Sequence, residues 1–138
     1  MDRPLVVART QVLDPALTKT LRDVAESTTT GGFVLVFYRA IWAGWLIALM
    51  AWIFASTHDT FAQIVLIWLT TGPIAAFGFK HSIAGAIEAF YRVWTGDAGL
   101  GSMLMSFEIP ALLGNIIGGV VLVALVNHGQ AGSRKAPS

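Results

Sequence analysis

The chain has 138 residues, of which 55% are hydrophobic and 12% are charged, and it contains no cysteine. Charged residues are about half as frequent as the roughly 25% of a soluble domain. The net charge of +1 excludes a basic nucleic-acid binder, the lack of cysteine excludes a disulfide scaffold, and the hydrophobicity excludes a disordered chain. A soluble domain of this size could not bury so much apolar surface. A membrane protein remains, with about three crossings of roughly 20 residues each.

The N-terminal segment, residues 1–32, is polar. It holds eight of the charged residues within the first 26 positions. Asp14 followed by Pro15 is typical of a helix N-cap and a first helical position. Apolar residues then recur with the spacing of one helical face, at Leu17, Leu21 and Val24. The pattern predicts a short amphipathic helix over 15–26, which lies on a membrane, against a partner segment or in solvent.

Three long apolar segments form the body of the chain, residues 33–128, and a polar tail follows at 129–138. The segments are 33–56, 61–94 and 109–128. Each exceeds the roughly 18 apolar residues of a membrane-helix candidate. A buried core helix could explain any one of them. All three together favour an all-α membrane protein with three transmembrane segments, because no polar stripe gives them a water-facing side.

The middle segment is too long to be one straight crossing. Its 34 residues would span about 51 Å as a helix, against about 30 Å of hydrocarbon. Helix-breaking residues near 72–78 predict where it is interrupted, at Gly72, Pro73 and Gly78. Discontinuous helices point their ends at the substrate in many transporters. A simple proline kink without a site is the alternative.

Polar residues follow the predicted break on one helical face. His81, Gly85, Glu88 and Arg92 are offset by 0, 4, 7 and 11 residues, while Ile83 and Ile87 point elsewhere. Ionisable groups in a membrane segment usually face a cavity or a partner, and Glu88 can pair with Arg92.

His81 and its neighbour Lys80 have structural and functional interpretations. The His81 imidazole can change charge near neutral pH, so it could donate to an anion or relay a proton to it. It could equally make one structural hydrogen bond. Lys80 belongs to a polar pore or extends its ammonium to a lipid headgroup.

The third segment has the small residues of a close helix contact. Gly114 and Gly118 are four residues apart, and Gly119 follows. Asn115 lies between them, and its amide needs a partner in lipid. This pattern predicts helix packing through the glycines, with Asn115 capping the broken helix or contacting a permeant.

Two motifs resemble the signature of the formate/nitrite transporter family. They are Gly78-Phe-Lys-His-Ser-Ile-Ala84 and Leu113-Gly-Asn-Ile-Ile-Gly-Gly119. Arg39-Ala-Ile followed by Gly44-Trp-Leu resembles the start of that family's fourth membrane helix. The resemblance covers about residues 15–130. It implies an aquaporin-like fold, a pentamer with one pore per protomer, and permeation of small monovalent anions such as formate or nitrite.

The resemblance also implies roles for single residues. His81 matches the family's central pore histidine, and Phe77 and Phe79 lie near its apolar constriction. With the polar residues already described, the expected pore set is His81, Lys80, Phe77, Phe79, Gly85, Glu88 and Asn115.

Some positions depart from the family pattern. Lys80 stands where the family usually has Glu, and Gly44 and Gly85 stand where transporting members usually have Asn. The pattern from His81 to Glu88 is closer to a bacterial branch described only as inner-membrane proteins. The resemblance therefore implies a multi-pass protein of the bacterial inner membrane.

Only half of the family fold is matched, because the family has six membrane helices in two inverted repeats. The chain matches the second repeat, and the pore lies between repeats. It is then a C-terminal fragment of a transporter or a half-size protein that pairs antiparallel with another copy. Antiparallel pairing needs Lys and Arg balanced across the membrane. They are concentrated on the side of the N-terminus, which favours the fragment. This charge bias alone places the N-terminus in the cytoplasm, whereas the family topology places the C-terminal tail there.

A non-transporting membrane subunit, such as an assembly or haem-anchoring protein, is the alternative function. It is suggested by His58, His81 and His128 on or beside different segments. Bis-histidine haem ligation needs two of them at one depth, and the spacing disfavours this. The sequence has no phosphate loop, metal-spaced cluster or nucleophile motif. We therefore expect no enzyme activity, cofactor or metal.

Overall fold

The computed structural model describes residues 14–133, and the regular structure within that range is entirely helical. A π-helical turn, Leu104–Glu108, joins the last two helices. The helices are α1 (Pro15–Thr29), α2 (Gly32–Ser56), α3 (Thr60–Ala76), α4 (Ser82–Thr95), α5 (Leu100–Met103) and α6 (Ile109–Ser133). The expectation of an all-helical protein is confirmed. The predicted polar segments extend at both ends beyond the described residues, into 1–13 and 134–138.

Helix α1 begins where the sequence predicts. The Asp14 carboxylate accepts a hydrogen bond from the Ala16 amide at 2.7 Å, and Pro15 takes the first helical position. The helix continues three residues past the predicted end at 26. Its apolar face stays exposed, as Leu17, Leu21 and Val24 show. Only its C-terminal part, with buried Ala25 and Thr29, packs on the described chain, against α4.

Two stretches are long and apolar enough to cross a membrane by length and composition. They are α2, with 25 residues, and Leu100–Val126, with 27 residues. Helix α3 is also apolar but has 17 residues. Helix α2 agrees with the predicted segment 33–56. The third segment extends further toward the N-terminus than predicted, because α5 and the π turn precede α6.

Glycines let α2 and α6 pack closely, and this is the main helix contact of the described chain. A Cβ on Gly118 would overlap the Ile41 carbonyl, and one on Gly114 would overlap the Phe37 carbonyl. A Cβ on Gly44 would overlap the Asn115 backbone. The contacts advance together along both helices, so α2 and α6 run in the same direction. At such a crossing the two backbones contact each other directly, whereas helices in soluble proteins pack through interdigitating side chains.

The predicted helix break is displaced toward the C-terminus. Helix α3 continues through Gly72 and Pro73 and ends at Ala76, so those two residues do not break it. Pro73 lies in the last turn, where it withholds only one amide, and its carbonyl still accepts from the Phe77 amide at 2.9 Å. The helix ends because Gly78 adopts φ +63°. The Phe79 amide then bonds back to the Ile74 carbonyl at 2.9 Å, as in a Schellman cap. We call Phe77–His81 the break segment.

The buried core is small and centres on Phe107, which the π turn carries. Phe107 is fully buried, with Val36 and Ala40 of α2, Ala89 of α4, and Ala111 of α6 around it. Its ring lies so close to Gly85 that a Cβ there would overlap it. The core thus connects two pairs of helices in the described chain. One pair is α2 with α6, and the other is α1 with α4.

Candidate functional site

Asn115 connects three other parts of the chain at the break segment. Its Nδ2 donates to the Ala40 carbonyl at 2.8 Å and to the Lys80 carbonyl at 3.0 Å. Its Oδ1 accepts from the Ser82 amide at 2.9 Å. Freed backbone groups at a broken membrane helix need such partners. The amide therefore caps α4, and both of its N–H donors are already in use.

Lys80 is buried at 5% exposure, and its side chain extends toward α1. Its Nζ donates to the Ser27 carbonyl at 3.0 Å. Ser27 lies in the last turn of α1, where unpaired carbonyls carry partial negative charge. Lys80 thus fixes the end of α1 to the break segment, a contact that the sequence alone did not predict.

Arg92 makes a second contact with the end of α1. Its Nη1 donates to the Thr29 hydroxyl at 2.8 Å. The predicted Glu88–Arg92 ion pair does not form, because Thr29 offers Arg92 a partner from another helix. Within residues 14–133 the ion pair is between Arg22 and Asp97, at 3.6 Å. Glu88 keeps one carboxylate oxygen, Oε2, buried without a hydrogen-bond partner in the same range.

His81 closes the break segment and precedes α4. Its backbone is extended, with φ −118° and ψ 122°, and its carbonyl accepts from the Gly85 amide at 2.8 Å. The side chain is half-buried, and its ring makes no hydrogen bond with the described residues. The imidazole is thus next to the positive end of the α4 dipole, with both ring nitrogens free of partners from residues 14–133.

Aromatic rings line the other side of the break segment. The rings of Phe77 and Phe79 have centroids 5.7 Å apart. Phe79 stacks on Trp42 of α2 at 6.4 Å, and Trp42 contacts Trp45 at 5.7 Å. Phe77 is exposed at 67%, so it projects away from the chain. Together they form an apolar edge at the break segment, and His81 follows two residues after Phe79.

Helix α4 turns its polar face inward, as the spacing predicts. Ile83 and Ile87 are exposed at 77% and 75%, whereas Gly85 is buried and His81, Glu88 and Arg92 are half-buried. The space above Gly85 is filled by the Phe107 ring rather than open. Of the expected set, the structure brings together Phe79, Lys80, His81 and Asn115. Gly85 and Glu88 lie further along α4, and Phe77 points outward.

Three residues that contact this region were not identified from the sequence: Ser27, Thr29 and Phe107. No sequence pattern marks Ser27 and Thr29 as contact residues, because their contacts depend on where α1 packs on the rest of the chain. The pairing of Phe107 with Gly85, a large aromatic residue packed against a glycine, is of a kind that sequence reasoning can look for. The π turn that sets its phase has no sequence pattern of its own.

Glu108 is a further half-buried acid with one buried carboxylate oxygen. Its Oε2 has no hydrogen-bond partner among the described residues. It borders an otherwise apolar pocket between α4 and α5, lined by Ala89, Phe90, Val93, Leu100, Met103 and Leu104. Residues 14–133 contain no group of three or more His, Asp or Glu that could hold a metal ion.

The three histidines lie on separate elements. His58 is exposed in the connection between α2 and α3, His128 is exposed on α6, and His81 belongs to the break segment. Nothing in this arrangement supports the alternative of a haem-anchoring subunit.

Comparison with known proteins identifies relatives of the chain. The family described as formate/nitrite transporter matches residues 4–129. The inner membrane protein YfdC of Escherichia coli is 36% identical over 83% of this chain and 35% of its own length. A probable formate transporter of Methanothermobacter thermautotrophicus is 31% identical over 87% of this chain and 43% of its own. The nitrite transporter NirC of Escherichia coli is 29% identical over 80% of this chain and 42% of its own.

The chain therefore spans well under half the length of these relatives. No solved structure matches it significantly. The motifs around His81 and Asn115 and the match over residues 4–129 agree, and the chain belongs to the formate/nitrite transporter family.

Proposed function

We propose that the chain is half of a membrane transporter for small monovalent anions of weak acids, such as formate or nitrite. The observation that carries this proposal is the discontinuity between α3 and α4. Asn115 holds the break segment in place by hydrogen bonds. The half-buried His81, the last residue of that segment, has an imidazole with no hydrogen-bond partner among the described residues. Discontinuous helices with a free polar group are a recurrent design of substrate sites in membranes.

The proposed mechanism uses the chemistry of the imidazole. A histidine that changes charge near neutral pH can donate a hydrogen bond to the anion or pass it a proton. The neutral acid then crosses the apolar edge formed by Phe77 and Phe79, where an anion would be costly. The partial positive charge at the start of α4 favours the anion before that step. In this proposal Lys80 and Asn115 line the pore through the backbone that they position, and Glu88 continues its wall. Gly85 is instead the packing site of the Phe107 ring.

The opposite wall of the pore comes from another repeat, because a pore that lies between inverted repeats needs both of them. We propose the first repeat of a longer transporter as that wall, with an antiparallel second copy as the alternative. The full assembly is an aquaporin-like fold, pentameric, in a bacterial inner membrane. Long apolar side chains exposed on α4 and α6 support this: Ile83, Ile87, Phe90, Trp94, Leu112, Leu113, Ile116, Ile117, Val120 and Val121.

The test is anion flux into liposomes. The chain is reconstituted alone and, separately, joined to the first half of the nitrite transporter NirC, and uptake of formate and nitrite is followed. We expect flux from the joined form. His81→Ala is expected to abolish its pH dependence and to lower the rate by about a hundredfold, the lower end of the range that proton-transfer groups contribute.

The matched control is His58→Ala, since His58 is an exposed histidine away from the break segment. It should leave the rate unchanged. Flux from the chain alone would favour the antiparallel pair over the fragment. No flux in either form, or equal flux with and without the His81 side chain, would contradict the proposed function.

A further inference from the structure

Arg39 is the charged residue of α2, and its guanidinium reaches the break segment. A Cβ on Gly78 would lie 3.8 Å from Nη1 of Arg39. The next break residue, Phe79, stacks on Trp42 of the same helix. Successive residues of the break segment therefore lie beside two residues one turn apart on α2. Arg39 and Trp42 thus both lie beside the break segment.

The charges around Arg39 do not cancel. Arg39 reaches Gly78, and a second cation, Lys80, lies two residues further along the break segment, while the acid Glu88 lies on α4. The ammonium of Lys80 is held by the Ser27 carbonyl. Arg39 is half-buried as a residue, and its guanidinium has no hydrogen bond or ion pair with the described residues. Its N–H donors are therefore available, and the local charge is net positive.

An unpaired cation beside the apolar body of a membrane protein is costly unless it meets a counter-charge or a polar cavity. The stacked rings of Trp42 and Phe79 place an apolar surface beside the break segment, and a charge has a stronger field next to such a surface than in open water. Gly78 has no side chain, so a small group can approach the guanidinium closely.

We propose that Arg39 is the contact residue of a binding site for a small monovalent anion at the edge of the break segment. Trp42 and Phe79 form the apolar wall of this site, and Lys80 adds to its field. The identity of the natural anion rests on the proposed function. The site holds the anion before it reaches the His81 imidazole.

Tryptophan fluorescence of the 138-residue chain in liposomes tests the site without any need for flux. Iodide serves as the small anionic quencher and acrylamide as the neutral one. The signal of Trp42 is isolated by subtracting that of a Trp42→Phe variant. In Arg39→Gln, the ratio of iodide to acrylamide quenching for Trp42 is expected to fall about threefold, as for loss of one unit charge a few ångströms away in water.

Arg39→Lys should keep most of the iodide quenching because it keeps the charge. Arg22→Gln, which removes an exposed cation paired with Asp97, should leave the ratio unchanged. An unchanged ratio in Arg39→Gln, or equal losses of iodide and acrylamide quenching, would overturn the inference. The second result would mean that Arg39 only shapes the surroundings of Trp42. Absence of flux in the liposome experiment overturns the transport function separately.

Discussion

At the scale of single residues, one side-chain amide provides hydrogen-bond partners for three backbone groups. Asn115 satisfies a carbonyl of α2, a carbonyl of the break segment and the first amide of α4. In a membrane segment no water replaces a lost partner. Its side chain is therefore important for stability as well as for the shape of the site.

Replacing Asn115 by Ala is expected to destabilise the protein by about 2–4 kcal/mol, because it removes three hydrogen bonds and leaves buried groups unpaired. Thermal or denaturant unfolding in detergent, followed by circular dichroism, measures this. Ile116→Ala is the control on the same helix, since Ile116 is exposed at 51%. Equal stability of the two variants would show that the amide is dispensable.

At the scale of helices, the sequence predicts the apolar elements well and their interruptions poorly. The bounds of α2 follow from a long apolar run with a single charge, Arg39, and the inward face of α4 follows from spacing. The position of the break does not, since Gly72, Pro73 and Gly78 all disfavour a helix locally. Only the left-handed backbone at Gly78, with its Schellman hydrogen bonds, decides between them. The partner of Arg92 likewise depends on the docking of α1, which local spacing does not encode.

The glycines at the α2–α6 crossing are not equivalent, which gives a matched pair of substitutions. Gly118→Ala places a methyl group on the Ile41 carbonyl, whereas a Cβ on Gly119 meets Ala48 and Gly44 at 3.5 Å, an ordinary contact. We expect Gly118→Ala to cost about 1–3 kcal/mol by forcing the helices apart, and Gly119→Ala to be close to neutral. Unfolding in detergent compares them, and the reverse order would contradict the packing described.

At the scale of the whole molecule, the described residues leave many large apolar side chains exposed. The core is limited to the residues around Phe107, while long side chains on each major helix remain exposed. Composition and hydropathy correctly indicate a membrane protein. They do not indicate how α1 attaches, because two basic side chains from distant positions, Lys80 and Arg92, reach its last turn.

The attachment of α1 can be tested by hydrogen exchange. In Lys80→Met the amides near the end of α1 are expected to exchange about tenfold faster. The reason is that a charged hydrogen bond that opposes local opening is lost. Mass spectrometry of the peptide covering residues 22–30 reports the change. Lys19→Met, which alters an exposed lysine on the same helix, should have no such effect. Faster exchange in both variants would mean that the loss of any positive charge, and not the Lys80–Ser27 hydrogen bond, causes the change.

The π turn at Leu104–Glu108 has a consequence for how this region tolerates change. A π turn holds one more residue than the α-helical turn it replaces, so it behaves as a built-in single-residue insertion. Each residue of an α-helix rotates the chain by about 100°. Deleting one residue anywhere in the turn would restore a regular helix and swing α5 by that angle relative to α6. Phe107 and Met103 could then no longer enter the core together. The length of this stretch therefore sets the rotation of α5 relative to α6, and a change of length would be as damaging as loss of the Phe107 ring itself.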